Sequence, residues 1–269
     1  MTVETTNSLS VFDRIVCGID GTPESLEAAR QAERLVAPGG LLRLAAVTEV
    51  NTAVHAGFAM SHVLEELDAA AREGLEKAIA ETHSASAELL AGDPVPALLD
   101  EIRRMKGTLV AVGPRGHSRA AGMIVGGVAT GLLHNAPCSV LFAREPRFGE
   151  FPLSVMTGVD GSPESLAALA VAEALAARFH SEHLVLSATG GKGVELEAIR
   201  ALAPDVIADP GRPAEALSDL SQEVDLLVLG SRGLHGLKAL GSVSERVAHR
   251  AACSVLVVRN LGGDHEHDH

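Results

Sequence analysis

Short, almost wholly apolar runs alternate along the chain with longer stretches whose apolar positions recur every three or four residues. In the first half the apolar runs fall at 14–19, 41–47, 108–112 and 139–143, with a weaker one near 86–91. Runs that stay apolar rather than alternating predict parallel strands covered on both faces. Between the first two lies "PESLEAARQAERLVAP", which carries Ala28, Ala32, Leu35 and Val36 at helical spacing. Strand and helix thus alternate from end to end, which predicts a doubly wound α/β sheet.

The second half replays the first. "RIVCGIDGTPES" (14–25) is answered by "LSVMTGVDGSPES" (153–165), "DPVPALLDEI" by "PGRPAEALSDL", "GTLVAVGPRGHS" by "VDLLVLGSRGLH", and "APCSVLFAR" by "AACSVLVVR". Asp20 and Asp160 lie 140 positions apart, Gly113 and Gly230 only 117, so the second copy is 23 residues shorter before its last third. The loss falls against 51–84, a loop and a long helix in the first copy. The expected units are 11–144 and a shorter 153–259, joined by "EPRFGEFP" and flanked by flexible tails at 1–10 and 260–269.

Two recurring elements carry candidate chemistry. The turn "DGTPES"/"DGSPES" ends a strand and opens a helix. Gly21 and Gly161 permit a tight reversal, Thr22 and Ser162 suit helix caps, and Pro23 and Pro163 suit the first helical position. Capping does not call for Asp20 or Asp160, and an acid at the mouth of a parallel sheet is placed to accept bonds from a ligand. Structural and ligand roles both stay open at this point. The second element follows the fourth strand: Gly113, Gly116, Gly126 and Gly127 form G-x2-G-x9-G-G, after which a helix begins. Glycines let backbone N–H groups approach an anion, and a helix start adds partial positive charge. The same element recurs in "GSRGLHGLKALGSVSERV", with a spacer of seven residues, 234–240, instead of nine.

On these residues the chain resembles the universal stress protein family in its tandem two-domain form, over about 11–259. That resemblance implies two five-stranded parallel sheets of strand order 3-2-1-4-5, of the adenine nucleotide alpha hydrolase-like kind, with ligands at the switch point beside strands one and four. It implies ATP or another adenine nucleotide, usually with Mg²⁺ or Mn²⁺. The implied contacts in the first copy are Asp20, Gly21, Val47, Gly113, Arg115, Gly116, Gly126, Gly127 and Val128. In the second they are Asp160, Gly161, Gly230, Arg232, Gly233, Gly241, Ser242 and Val243. Both copies depart from the family pattern: Gly127 stands where Ser or Thr is expected, and the second spacer is two residues short. The first site is therefore expected to bind more tightly.

Composition narrows the partners. A net charge of −13, with no Trp and no Tyr, argues against nucleic acid. No apolar run approaches membrane-helix length. Cys17, Cys138 and Cys253 are read as reduced, buried thiols of a cytoplasmic protein. "SATGGKG" (187–193) is not a Walker A loop, because Leu186 and Gly193 stand where Gly and Ser or Thr are needed. His265, His267 and His269 in the acidic tail are weak candidates for a metal. The last strands, "SVLFA" and "SVLVV", are expected to cover each other's apolar edges as an intramolecular pseudo-dimer, with a further homodimer left open. The expected function is an adenine-nucleotide binding module of the stress response. The alternatives are a nucleotide-free scaffold or an enzyme that hydrolyses ATP slowly, although no general base or phosphate clamp is found.

Overall fold

The computed structural model describes residues 11–48, 60–83, 85–114, 126–147, 149–190, 194–231 and 243–259. In the first repeat β1 (Arg14–Ile19), β2 (Leu41–Thr48), β3 (Ser86–Ala91), β4 (Leu109–Val112) and β5 (Ser139–Phe142) are joined by α1 (Pro23–Leu35), α2 (Met60–Glu81), α3 (Pro94–Met105) and α4 (Gly127–Asn135). The second repeat runs β6 (Ser154–Gly158), α5 (Pro163–Phe179), β7 (Glu182–Ala188), α6 (Leu196–Leu202), β8 (Ile207–Asp209), α7 (Pro213–Leu220), β9 (Leu226–Ser231), α8 (Val243–Arg250) and β10 (Ser254–Arg259). The weak run near 86–91 is a strand. The shortened stretch of the second repeat holds a helix of seven residues and a strand of three.

The strands form one sheet in the order β3-β2-β1-β4-β5-β10-β9-β6-β7-β8, which is 3-2-1-4-5 in each repeat. Pairing within each repeat is parallel. The covered-strand pattern has its cause here. Ile15, Cys17 and Ile19 enter the core on one face of the sheet and Val16 the core on the other. A strand between two cores has no polar face to spare, so alternation vanishes.

The repeats join where β5 and β10 pair antiparallel, Leu141 opposite Leu256 and Phe142 opposite Val255. Each apolar last strand is therefore covered by the other, and two five-stranded halves become one sheet. The repeated "CS…R" residues lock the seam. Ser254 Oγ accepts the Arg144 N–H at 2.9 Å, and Ser139 Oγ accepts the Arg259 N–H at 3.2 Å. The Arg144 guanidinium donates to Ala248 O at the end of α8, and the Arg259 guanidinium to Leu133 O near the end of α4. Each repeat thus caps the other's last helix with a cation, where the helix dipole is negative. Between the repeats, the buried Asp225 carboxylate accepts the N–H groups of Arg147, Leu153 and Ser154, which fixes the linker. Among the described residues no helix is long and apolar enough to cross a membrane.

Candidate functional site

The switch point of the first repeat lies between β1 and β4. After β1 the chain turns into α1, and the Asp20 side chain takes part in that turn. Its Oδ1 accepts the Thr22 N–H at 3.0 Å and the Thr22 hydroxyl at 2.5 Å. Thr22 Oγ1 in turn accepts the Ser25 N–H, and Ser25 Oγ accepts the Asp20 N–H, both at 3.3 Å. Gly21 has φ +78°, a conformation that favours glycine. The second repeat reproduces this: Asp160 Oδ1 accepts from Ser162 N–H at 3.0 Å and Ser162 hydroxyl at 2.6 Å, and Gly161 has φ +84°. The expectation that the helix start has no use for the acids is corrected. They hold the cap residue itself in place.

Gly113 follows β4 and packs on α1: a Cβ there would stand 2.9 Å from the Glu24 carbonyl carbon. At Gly230 the clash would be worse, 2.3 Å from Glu164 O. These two glycines are demanded by helix packing before any ligand is considered. Gly126 and Gly127 differ. Gly126 caps α4 at φ −73° and ψ 165° without a side-chain bond to the helix, and its own N–H donates to Pro114 O at 2.7 Å. That bond draws the two described ends of the glycine loop together. A Cβ on Gly127 would meet nothing within 4 Å. The first turn of α4 therefore begins on two residues with no side chain over its N–H groups, a setting that suits an anion.

Val47 and Val128 are both half-buried and pack against the same core, Val47 one residue before the end of β2 and Val128 in the first turn of α4. The structure thus brings Asp20, Gly21, Val47, Gly113, Gly126, Gly127 and Val128 to the carboxyl edge of one half-sheet. In the second repeat it brings Asp160, Gly161, Gly230 and Val243 to the matching edge. Arg115, Gly116, Arg232, Gly233, Gly241, Ser242, His265, His267 and His269 lie outside the described residues.

A family profile described as "Universal stress protein family" matches residues 12–144 and 191–259. The chain belongs to the universal stress protein family. A universal stress protein of Mycobacterium tuberculosis is 30% identical over 204 residues, 64% of this chain and 67% of that one. One of Mycolicibacterium smegmatis is 29% identical across 91% of this chain and 96% of its own length. The crystal structure of a universal stress protein from Archaeoglobus fulgidus superposes with a TM-score of 0.73 at 22% identity, covering 93% of this chain and 97% of that one. That likeness concerns the fold.

The two universal stress protein repeats are not equal at this edge. In the first, α2 crosses the Asp20–Gly21 turn, and a Cβ on Gly74 would stand 3.0 Å from Gly21 N and 3.1 Å from Gly21 Cα. Thr48 Oγ1 at the end of β2 donates to Asp68 Oδ1 on α2 at 2.6 Å. In the second, Asp160 and Gly161 are exposed and a Cβ on Gly161 would touch nothing within 4 Å. The sequence reading missed Gly74, Thr48 and Asp68. The signal was a glycine inside a long amphipathic helix, where it costs about 1 kcal/mol against alanine and so implies a close contact.

The cysteines belong to the core. Burial, above all, pushes the Cys138 and Cys253 thiols up to about 12. Burial and then the Asp20 charge carry Cys17 higher still. Arg259 near Cys138 and Arg144 near Cys253 pull the other way, but burial outweighs them, so neither thiol is poised as a reactive thiolate.

Proposed function

We propose that this universal stress protein binds ATP or another adenine nucleotide at the carboxyl edge of its first repeat, and less tightly at the second. Its two units are 11–144 and 153–259, acting in the cytoplasm. What carries the reading is the convergence of four segments distant in sequence at one switch point: the Asp20–Gly21 turn, the end of β2 at Val47, Gly113, and the start of α4 at Gly126–Val128. The phosphates would lie at α4, where the helix starts on Gly126 without a side-chain cap and Gly127 opens outward. The base or ribose would meet Asp20 and Val47. Among the described residues no group of three or more His, Cys, Asp or Glu side chains could hold a metal ion. Mg²⁺ or Mn²⁺ would accompany the nucleotide on its phosphate oxygens, whose charge it would neutralise.

A nucleotide-free scaffold is the second reading. It is favoured by the packing of Gly113 and Gly230 on α1 and α5, and by the turn bonds of Asp20 and Asp160, all of which need no ligand. Mass spectrometry of small molecules released by denaturing the purified protein separates the two. Adenine nucleotide at a substantial fraction of the protein supports binding; none, together with no heat on ATP titration, leaves the scaffold. Steady-state phosphate release tests for slow hydrolysis.

A further inference from the structure

The two repeats place a histidine at the same point. His134 and His249 each stand four residues before the equivalent cysteines Cys138 and Cys253, in the last turns of α4 and α8. Eight residues before the same cysteines the copies differ: Thr130 stands in the first and Glu245 in the second. One carboxylate therefore serves two histidines. Glu245 Oε1 lies 3.3 Å from His134 Nε2 across the junction of the repeats, with both side chains mostly buried. On α8 itself Glu245 lies one helical turn before His249.

The surroundings are cationic. Arg144 donates to Ala248 O, beside His249, and Arg259 to Leu133 O, beside His134. The negative ends of both helices are thus already met by arginine, and a histidinium gains little from them. No acid from the neighbouring elements offsets this among the described residues. Helix α7, which packs on α8, buries Ala214, Ala216 and Leu217 while Glu215 and Asp219 are exposed. Helix α3, which packs on α4, pairs Glu101 with Arg104 and leaves Asp100 and Arg103 exposed. Asp225, before β9, is taken up by the N–H groups of the linker. Arg246 and Arg250 on α8 are exposed. With both histidines charged, Arg144, Arg259, His134 and His249 would all face the single Glu245 carboxylate. His249 shows the balance: burial lowers it most, Glu245 pulls it up, and Arg144 and His134 lower it further.

We propose that His134, Glu245 and His249 form an acid-sensitive latch between the repeats, closed while Glu245 meets one histidine and released when His249 also takes a proton. In the released form His249 faces water and accepts that proton near pH 6.5, whereas the closed form resists it. The hold of the latch is therefore full above about pH 6.5 and is lost as pH falls below that. Helices α4 and α8 also follow the two glycine loops, so the latch ties the two candidate sites together at the far ends of those helices.

Hydrogen exchange on the full chain, read by mass spectrometry at about pH 7.5 and about pH 5.5 and corrected for the intrinsic effect of pH on exchange, tests this. In the wild type, peptides from the last turns of α4 and α8 should lose protection at the lower pH, opening roughly tenfold more often, the change that one pH unit of linkage gives. His249→Gln, neutral throughout, should keep them closed at both pH values. His249→Lys, charged throughout, should hold them open at both. His183→Gln, which removes a histidine on β7, should leave the response as in the wild type. If the wild-type peptides keep their protection at the lower pH, if His249→Gln loses it as the wild type does, or if His249→Lys stays closed at the higher pH, the latch is refuted. If His183→Gln abolishes the response, the acid sensitivity belongs to β7 and the latch is refuted as well.

Discussion

At the scale of single residues, the Asp20 and Asp160 carboxylates each accept two bonds from the cap residue. Replacing either by Ala removes the oxygen that accepts both bonds, and each variant should lose about 1–2 kcal/mol of stability, read as the shift in denaturant midpoint. The turn bonds are alike, but Asp20 is half-buried under α2 and Asp160 is exposed, so the loss should be the larger at Asp20. A ligand role would appear separately, as weaker ATP binding in Asp20→Ala with Asp160→Ala little changed. The glycines divide by what a Cβ would touch. Val at Gly113 would drive into the first turn of α1, so lost nucleotide binding there would report on folding as much as on the ligand. Gly126 has φ and ψ that any residue adopts, so Gly126→Val tests close approach of phosphates and should abolish the tighter site with modest loss of stability. Gly127→Ser enters open space and restores the hydroxyl that the family pattern carries. ATP affinity should rise up to about tenfold, checked by calorimetry. Unchanged affinity would show that no phosphate reaches this N–H.

At the scale of elements, capping residues decide where helices begin. Thr22, Asp93 and Ser162 each accept an N–H from the first turn of α1, α3 and α5, and each precedes a proline. Thr22→Ala should cost about 1 kcal/mol and a few degrees of melting temperature, measured by circular dichroism, with no change in the sheet. These starts are legible in sequence because capping is local: the acceptor, the proline and the bonded N–H lie within four residues. The placement of α2 is not local. Its length was legible, but its seat on the Asp20 turn depends on Gly74 and Gly21 meeting across 53 positions of chain.

At the scale of the whole molecule, stability rests on the seam between β5 and β10. Arg144 donates to Cys253 O and Ala248 O across it. Arg144→Ala leaves those carbonyls without their cation and should lower stability by about 1–3 kcal/mol. Calorimetry should then show a broader unfolding profile than that of the wild type as the repeats uncouple. Acid acts on the whole molecule through two histidines. Burial holds His183 below its ordinary value of 6.5, and His249 is lowered by burial with Arg144 and His134 nearby, against the pull of Glu245. A depressed histidine is neutral when folded while the unfolded chain takes up a proton. Its stabilising share is therefore present above pH 6.5 and is lost as pH falls below that. His183→Gln should flatten the fall in stability between about pH 7 and 5 relative to the wild type, read from urea midpoints across pH. An unchanged slope would assign the acid sensitivity elsewhere.

The chain by itself determined the doubly wound class, the duplication, the strand runs, the helix starts and the family. Each depends on patterns a few residues long or on the repetition of such patterns. It also showed which last strands were too apolar to stay open as edges. Tertiary structure alone decided why Gly113 and Gly230 are glycines, that Asp20 and Asp160 hold their own turns, and that α2 packs its Gly74 on the first of those turns. Those outcomes depend on backbone distances between segments far apart in the chain, where a few tenths of an ångström separate a tolerated Cβ from a clash. A one-dimensional pattern holds no record of such distances.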